Sequence, residues 1–335
     1  MINLNIDYLP LDQIDRIRPL LVRSVYKPIR FLVEELNNDL NIFWFNSILE
    51  LVREKTGYVL AALIEDKIMG IVVYTDNPWE TKVLGKKAGV LNYLIIDPSY
   101  RDNDYLTMLL LEKVINHALE QKVQLLLCKT YTDDVITIHA LEVQGFLLMD
   151  TVLDCYFDFR RSPLECVQPS LSKNVNIRLG KKDDLSAMQY VARQAFQKYF
   201  GRYHADERIG KGKATSFYEE WIKSSIEGYA DWICVAEIDG RIVGFSIWKK
   251  PSPLEMGLVI RVGHYSLAGI LPDFSGRGLF TALTYEGMKQ MKDFVDIIEG
   301  PTHINNYGVQ SSYAKLHWRV CSDARHSLHK WLTCI

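Results

Sequence analysis

The chain has 335 residues, 48% hydrophobic and 24% charged, with a net charge of −2. That length exceeds one small core and suits two domains of ordinary size. Near-neutral charge excludes bulk steering toward nucleic acid or an anionic membrane surface, so any anion site must be local.

Taken in chain order, residues 3–8 read as a short strand and 39–55 (DLNIFWFNSILELVREK) as helix. A hairpin follows at 57–74, a long strand at 88–97 and a helix at 104–121. A strand at 123–128, a helix near 133–143 and strands from 146 to 158 complete the first half. Residues 160–174 (RRSPLECVQPSLSKN) carry two prolines that interrupt the periodicity, as a linker does. Beyond it come strand 175–179, helices near 183–199 and 213–226, and hairpin 231–250. Strand 258–271, helix 279–292, strand 295–300, helix 306–316 and strands to Leu332 close the chain.

The second series repeats the first. ALIEDKIMGIVVY (62–74) matches AEIDGRIVGFSIW (236–248), each a strand, a tight turn and a second strand. Asp239-Gly240 is a strong hairpin signal and Glu65-Asp66 a weaker one. Gly70 and Gly244 lie 174 positions apart, and so do Pro98 and Pro272. Strands in runs with helices between them predict an α/β or α+β fold, with helices on both faces of a sheet and binding at a strand-to-helix junction.

Six scattered cysteines (128, 155, 166, 234, 321 and 334) form no C-x-x-C pair and read as buried reduced thiols. The segment MINLNIDYLPLDQ has no basic region followed by an apolar one, and no uncharged apolar run nears the ~20 residues of a membrane span. A soluble, cytoplasmic protein is expected, without nucleic-acid or membrane partners. No His, Cys or carboxylate spacing implies a metal.

Ser275-Gly276-Arg277-Gly278 lies between an apolar strand and a helix. Such a loop presents backbone N–H groups and the positive end of the helix dipole to an anion.

This loop, with Asn306 and Tyr313 about thirty residues on, resembles the GNAT acetyltransferase superfamily. The family loop runs Gln or Arg, two residues, Gly, one residue, then Gly or Ala. Here Gly278 holds the central glycine, Ser275 replaces the Gln or Arg, and Phe280 replaces the small residue. INNYGVQSSYAKLHW (304–318) is similar to the family's Asn-x-x-Ala…Tyr-x-Lys-x-Gly-Phe helix, with Asn306, Val309, Tyr313 and Lys315 matching and His317-Trp318 in place of Gly-Phe. The resemblance implies two tandem domains, each a mixed central β-sheet flanked by helices. It implies acetyl-CoA as co-substrate, bound by Ile270, Leu271, Ser275, Gly276, Arg277, Gly278, Leu279, Phe280 and Asn306. It also implies Tyr313 as the acid that protonates the departing thiolate, since a phenol stays protonated at neutral pH. The plain alternative for Tyr313 is a core aromatic.

Residues 200–245 are similar to the acceptor side of dTDP-fucosamine acetyltransferases, through Arg202-Tyr203-His204-Ala205-Asp206 and Tyr218-x-x-Trp221, as is the C-terminal SLHKWL (327–332). The resemblance implies a primary-amine acceptor on a nucleotide-linked amino sugar. Arg202, His204 and Asp206 become substrate-binding candidates, with helix capping and a solvated arginine as the plainer roles. His264, on the strand entering the loop, is a catalytic candidate because a histidine accepts a proton at neutral pH.

In the first half the same loop reads Arg101-Asp102-Asn103-Asp104, so Asp104 stands at the position of Gly278 and Asp102 at that of Gly276. Carboxylates there repel pyrophosphate, and either suits N-capping of the next helix. Leu141 takes the tyrosine position and Asp134 the asparagine position. The expectation is a degenerate domain over 1–159, a linker over 160–174 and the transferase domain over 175–335. Another small amine as acceptor, or a degenerate ligand-binding or assembly module, are the alternatives. The oligomeric state is open, a homodimer included.

Overall fold

The computed structural model describes residues 4–53, 57–170 and 174–332, with backbone alone at 321 and 322. The chain divides into two compact units: 1–150 with 323–335, and 151–322.

Unit 1 runs β1 (Leu4–Tyr8), α1 (Arg18–Arg23), α2 (Val33–Arg53), β2 (Gly57–Ile64), β3 (Lys67–Asp76), α3 (Pro78–Leu84), β4 (Ala88–Ile96), α4 (Asn103–Glu120), β5 (Leu125–Tyr131) and α5 (Val135–Val143). Then β6 (Leu147–Asp158) begins. Glu65 and Asp66 both have positive φ (48° and 64°), as do Asp239 and Gly240 (51° and 77°). The weaker hairpin signal thus adopts the same primed-turn backbone as the stronger one. α4 buries Leu106, Leu110, Leu111, Val114 and Ala118 on one stripe against one face of the sheet. Trp44, Phe45 and Ile48 of α2 pack against the other face, with Ile71 and Val73. Both faces are therefore covered, which explains why β2 to β4 read as apolar runs rather than alternations.

Unit 2 continues with β7 (Val175–Leu179), α6 (Leu185–Phe196), α7 (Arg202–Ala205), α8 (Lys211–Ser224), β8 (Trp232–Ile238), β9 (Arg241–Lys249) and β10 (Val262–Ile270). It closes with α9 (Leu279–Met291), β11 (Ile297–Glu299), β12 (Thr302–His303), α10 (Tyr307–Lys315) and the start of β13 (Arg319–Trp331). Strand order in the two units is the same. Unit 1 has β1-β2-β3-β4-β5 with β13 beside β5. Unit 2 has β7-β8-β9-β10-β11 with β6 beside β11. Among these pairings of described residues, only β4–β5 and β10–β11 are parallel, so each sheet is mixed.

The units depart from the expected boundary in one respect. Each sheet ends in a strand from the other half of the sequence: Tyr156 to Asp158 of β6 pair with β11, and Arg325 to Trp331 of β13 pair with β5. SLHKWL therefore belongs to unit 1's sheet, whereas the acceptor-side residues it was grouped with belong to unit 2. The segment expected as a linker is also not free, since Leu164 and Val167 are buried in unit 2's core. Cys128, Cys155, Cys166 and Cys234 are free thiols. Cys334 and the Cys321 side chain lie outside the described residues. Among the described residues, no helix is long and apolar enough to cross a membrane.

Candidate active site

β10 and β11 pair only from Val262 to His264, opposite Ile297 to Glu299. β10 runs on to Ile270, so past His264 the two parallel strands part and one edge of β10 is left open. A bulge between Tyr265 and Leu267, against β9, sits at the start of that open edge. Bulges re-aim strands at such places.

The glycine loop closes the far end of the edge. Gly276 and Gly278 have φ of 77° and 75°, the left-handed conformation that only glycine takes without strain. A β-carbon at either would meet nothing within 4 Å, so the space before the loop is open. The first amide bonded into α9 is that of Ala282, which donates to Gly278 O at 3.0 Å. Among the described residues, the amides of Gly276 through Phe280 donate to no protein acceptor. Unpaired amides at the positive end of a 13-residue helix form a ready anion site.

The other loop residues take distinct places. The Ser275 amide is spent on Pro272 O (3.1 Å). The Arg277 guanidinium donates to Asp273 O at 3.1 Å and lies over Phe274, folding back on its own loop. The Leu271 and Leu279 side chains are core, leaving only backbone for a ligand. Ile270 fills the space beside Gly244, where a β-carbon would lie 2.5 Å from its Cδ1. The Phe280 ring packs against those of Tyr265 and Tyr313, each centred 6.0 Å away. It is directed into the core, so the bulk at this position does not crowd the loop amides.

Tyr313 is 5% exposed and stacks on Trp318 at 4.3 Å. A β-carbon at Gly300 would stand 2.7 Å from Tyr313 Oη. Gly300 follows β11 directly, so the missing side chain admits the hydroxyl where β11 leaves β10. Burial, reinforced by Tyr265, Cys155 and Tyr199, raises the phenol well above its usual range, and it stays protonated. Asn306 is the N-cap of α10, its Oδ1 accepting from the Val309 amide at 3.4 Å. That explains the asparagine by helix capping alone.

His264 does not suit the role of proton acceptor. Its Nδ1 lies 2.9 Å from Glu299 Oε1, and its Nε2 lies 3.0 Å from Glu255 Oε1. Burial would lower its pKa, but the two hydrogen bonds and carboxylate charges prevail and push it up to about 10. The ring is an imidazolium at neutral pH, with both nitrogens donating.

On the acceptor side, Arg202 donates to the Tyr203 hydroxyl and lies over that ring. Asp206 is buried and accepts from the Arg208 amide (3.1 Å), a turn-forming role. His204 stacks on Tyr218, with Tyr199 at its edge, and burial lowers its pKa, so it is neutral. Its Nδ1 is buried without a hydrogen-bond partner. Sequence reasoning missed Glu255, Glu299, Tyr199, His303 and Gly300. Tyr199 touches His204 and His303 in turn, and Phe200 packs edge-on to His303 at 4.6 Å. The one available signal was the aromatic density of 196–221 (Phe196, Tyr199, Phe200, Tyr203, Phe217, Tyr218, Trp221).

In unit 1 the counterpart loop differs. Asp102 is the N-cap of α4, yet neither it nor Asp104 makes a side-chain cap bond, so the expected capping is not made. Asp134 does cap α5, accepting from the Thr137 amide at 3.2 Å, and Leu141 is buried at the tyrosine position.

The model of the acetyltransferase (GNAT) family matches residues 22–146, within unit 1. The chain is 22% identical over 194 residues to the spore coat polysaccharide biosynthesis protein SpsD of Bacillus subtilis, spanning 56% of this chain and 61% of SpsD, less than two thirds of that relative. It is 22% identical over 169 residues to an N-alpha-acetyltransferase of Sulfurisphaera tokodaii, spanning 49% of this chain and 91% of the relative. Among solved structures, a tandem GNAT protein from the clavulanic acid biosynthesis pathway superposes over 98% of both chains, with a TM-score of 0.59 at 10% identity. The GNAT family model thus reaches unit 1 alone, and over the whole chain the likeness to the tandem GNAT structure is one of fold.

Proposed function

We propose that unit 2 carries the transfer, and that it N-acetylates a primary amine of a nucleotide-linked amino sugar. The observation that carries this reading is the parting of β10 from β11, with unpaired amides at one end and the Tyr313 hydroxyl at the other. The amides of Gly276 to Phe280 would hold the pyrophosphate of acetyl-CoA, and the open edge of β10 the rest of the molecule. Bound there, acetyl-CoA supplies an acyl group activated as a thioester. Tyr313 holds a proton at Oη for the departing sulfur. Phe280 and Tyr265 keep water from that hydroxyl. Arg202 would offer the acceptor a positive charge, and His204 with the aromatic side chains around it a neutral surface.

The amino-sugar acceptor is supported by the polysaccharide-biosynthesis relative SpsD. An α-amine acceptor is the second reading, favoured by the N-alpha-acetyltransferase relative. Steady-state rates with acetyl-CoA and three amines, a nucleotide-linked amino sugar, a free amino acid and a short peptide, separate them. The sugar amine should give the largest kcat/KM. A preference for the peptide would replace the acceptor, and no turnover with any amine, together with no acetyl-CoA binding, would overturn the enzyme reading of unit 2.

A further inference from the structure

Unit 1 keeps the same parting of strands but furnishes it differently. β4 pairs with β5 only from Ala88 to Leu91, then runs on to Ile96. Past that point a cavity of about 350 Å³ opens, walled by Leu94 and Ile96 of β4 and Val135 of α5. Its polar groups include Asn103, Asp133 and Asp134. The volume lies at the small end of the roughly 300–1,000 Å³ range of ligand pockets.

One side of the cavity is held in place without a ligand. Tyr26 stacks on Tyr131 and donates to Asp133 O at 3.0 Å. Arg30 makes a two-pronged ion pair with the Asp133 carboxylate (2.9 and 2.8 Å). The charge of Asp133 is therefore answered.

The charge of Asp134 is not. It is 8% exposed and accepts from the Thr137 amide and from the Thr137 and Thr130 side chains, with no cationic partner among the described residues. Capping does not demand the charge, because Asn306 caps the equivalent helix of unit 2 with a neutral amide. A buried carboxylate is costly unless something cationic meets it. Asn103 lines the same cavity, and its Oδ1 is buried with no hydrogen-bond partner. An acceptor left open in a cavity wall calls for a donor. Asp102 and Asp104, at the positions of unit 2's Gly276 and Gly278, turn the same cleft against pyrophosphate.

We propose that this cleft binds a small primary ammonium carried on an apolar body, with Asp134 as its counter-ion and the Asn103 side-chain oxygen as its acceptor. The site lies in the half that lacks the glycine loop, and the proposal is independent of which amine unit 2 acetylates.

The test is calorimetric titration of the full chain, without acetyl-CoA, using cyclohexylamine and its uncharged counterpart cyclohexanol. Cyclohexylammonium should bind at least roughly tenfold more tightly than cyclohexanol, the order expected of one partly buried charge pair. Asp134→Asn keeps the cap and should abolish that preference without lowering Tm. Asn103→Leu should weaken the amine while leaving the protein as stable or more so. Tyr313→Phe, in unit 2, should change nothing in this titration. Equal affinity for amine and alcohol, or unaltered amine binding in Asp134→Asn, would overturn the proposal. A Tm drop of several degrees in Asp134→Asn would also overturn it, since the charge would then belong to the cap.

Discussion

Replacing Gly278 by Asn and, separately, by Asp tests the anion cradle with its own control. The backbone there has φ 75° and ψ 5°, and a β-carbon meets nothing within 4 Å, so neither residue clashes. The shared cost is conformational, about 1 kcal/mol for a non-glycine residue in the left-handed region. It corresponds to a Tm drop of about 2–4 °C in a unit of this size. The variants differ only in charge. A carboxylate ~4 Å from a phosphate is repelled by about 1 kcal/mol if the loop behaves as water and about 4 kcal/mol at a protein-surface dielectric. The aspartate variant should therefore bind acetyl-CoA roughly five- to several-hundredfold more weakly than the asparagine variant, with the gap narrowing as salt rises. Isothermal titration at two ionic strengths measures both effects. Equal affinities for the two variants would refute the cradle, because no anion would then lie near Gly278.

Other residues carry their own tests. Tyr313→Phe should reduce kcat by about 10²- to 10⁴-fold with acetyl-CoA affinity little changed, the usual reach of a general acid, and unaltered kcat would remove Tyr313 from that role. The raised pKa of His264 means its ion pairs contribute fully below its ordinary value of 6.5 and are lost as pH climbs toward about 10. Thermal denaturation across that window should show wild type losing stability that His264→Gln never had. A difference between the two that stays constant with pH would contradict the clamp. Gly287→Ala should destabilise unit 2 by roughly 1–3 kcal/mol or more by overpacking, read from urea midpoints. The added carbon would stand 1.9 Å from Trp248 Cε2, a ring stacked on Tyr265 and bonded to Ser246 Oγ.

What was legible in the sequence was local. Asp239-Gly240 and Glu65-Asp66 state their turns by residue type, and Gly276 and Gly278 state theirs. Apolar runs ending at Pro98 and Pro272 marked the two long strands whose far ends part from their parallel neighbours. What was not legible depended on distant partners. His264 read as a base because an isolated imidazole is one, and its charge is decided by Glu255 and Glu299, nine and 35 residues away. Phe280 read only as a large residue in place of a small one, and its direction is set by Tyr265 and Tyr313. The last strands, β6 and β13, show no strict alternation, and their own pattern does not name the strand they join.

Three aligned positions show how one plan came to hold two different clefts. At the helix caps, Asn306 and Asp134 do the same structural work, each accepting from an amide three residues on. The substitution therefore preserves the fold while placing a charge in the cavity wall. At the loops, Gly278 and Asp104 both lie where a helix begins, but the aspartate brings a carboxylate to the end of the helix that attracts anions. Inside the helices, Tyr313 and Leu141 both fill the core, and only the tyrosine carries a hydroxyl. Each pair keeps its place in the fold and changes the functional group offered there. Loss of function by drift predicts scattered damage, with cavities filled or capping lost. Unit 1 instead keeps an open cavity of about 350 Å³ and a working cap while carrying carboxylates where unit 2 has glycines, the pattern expected of the ammonium site proposed for it.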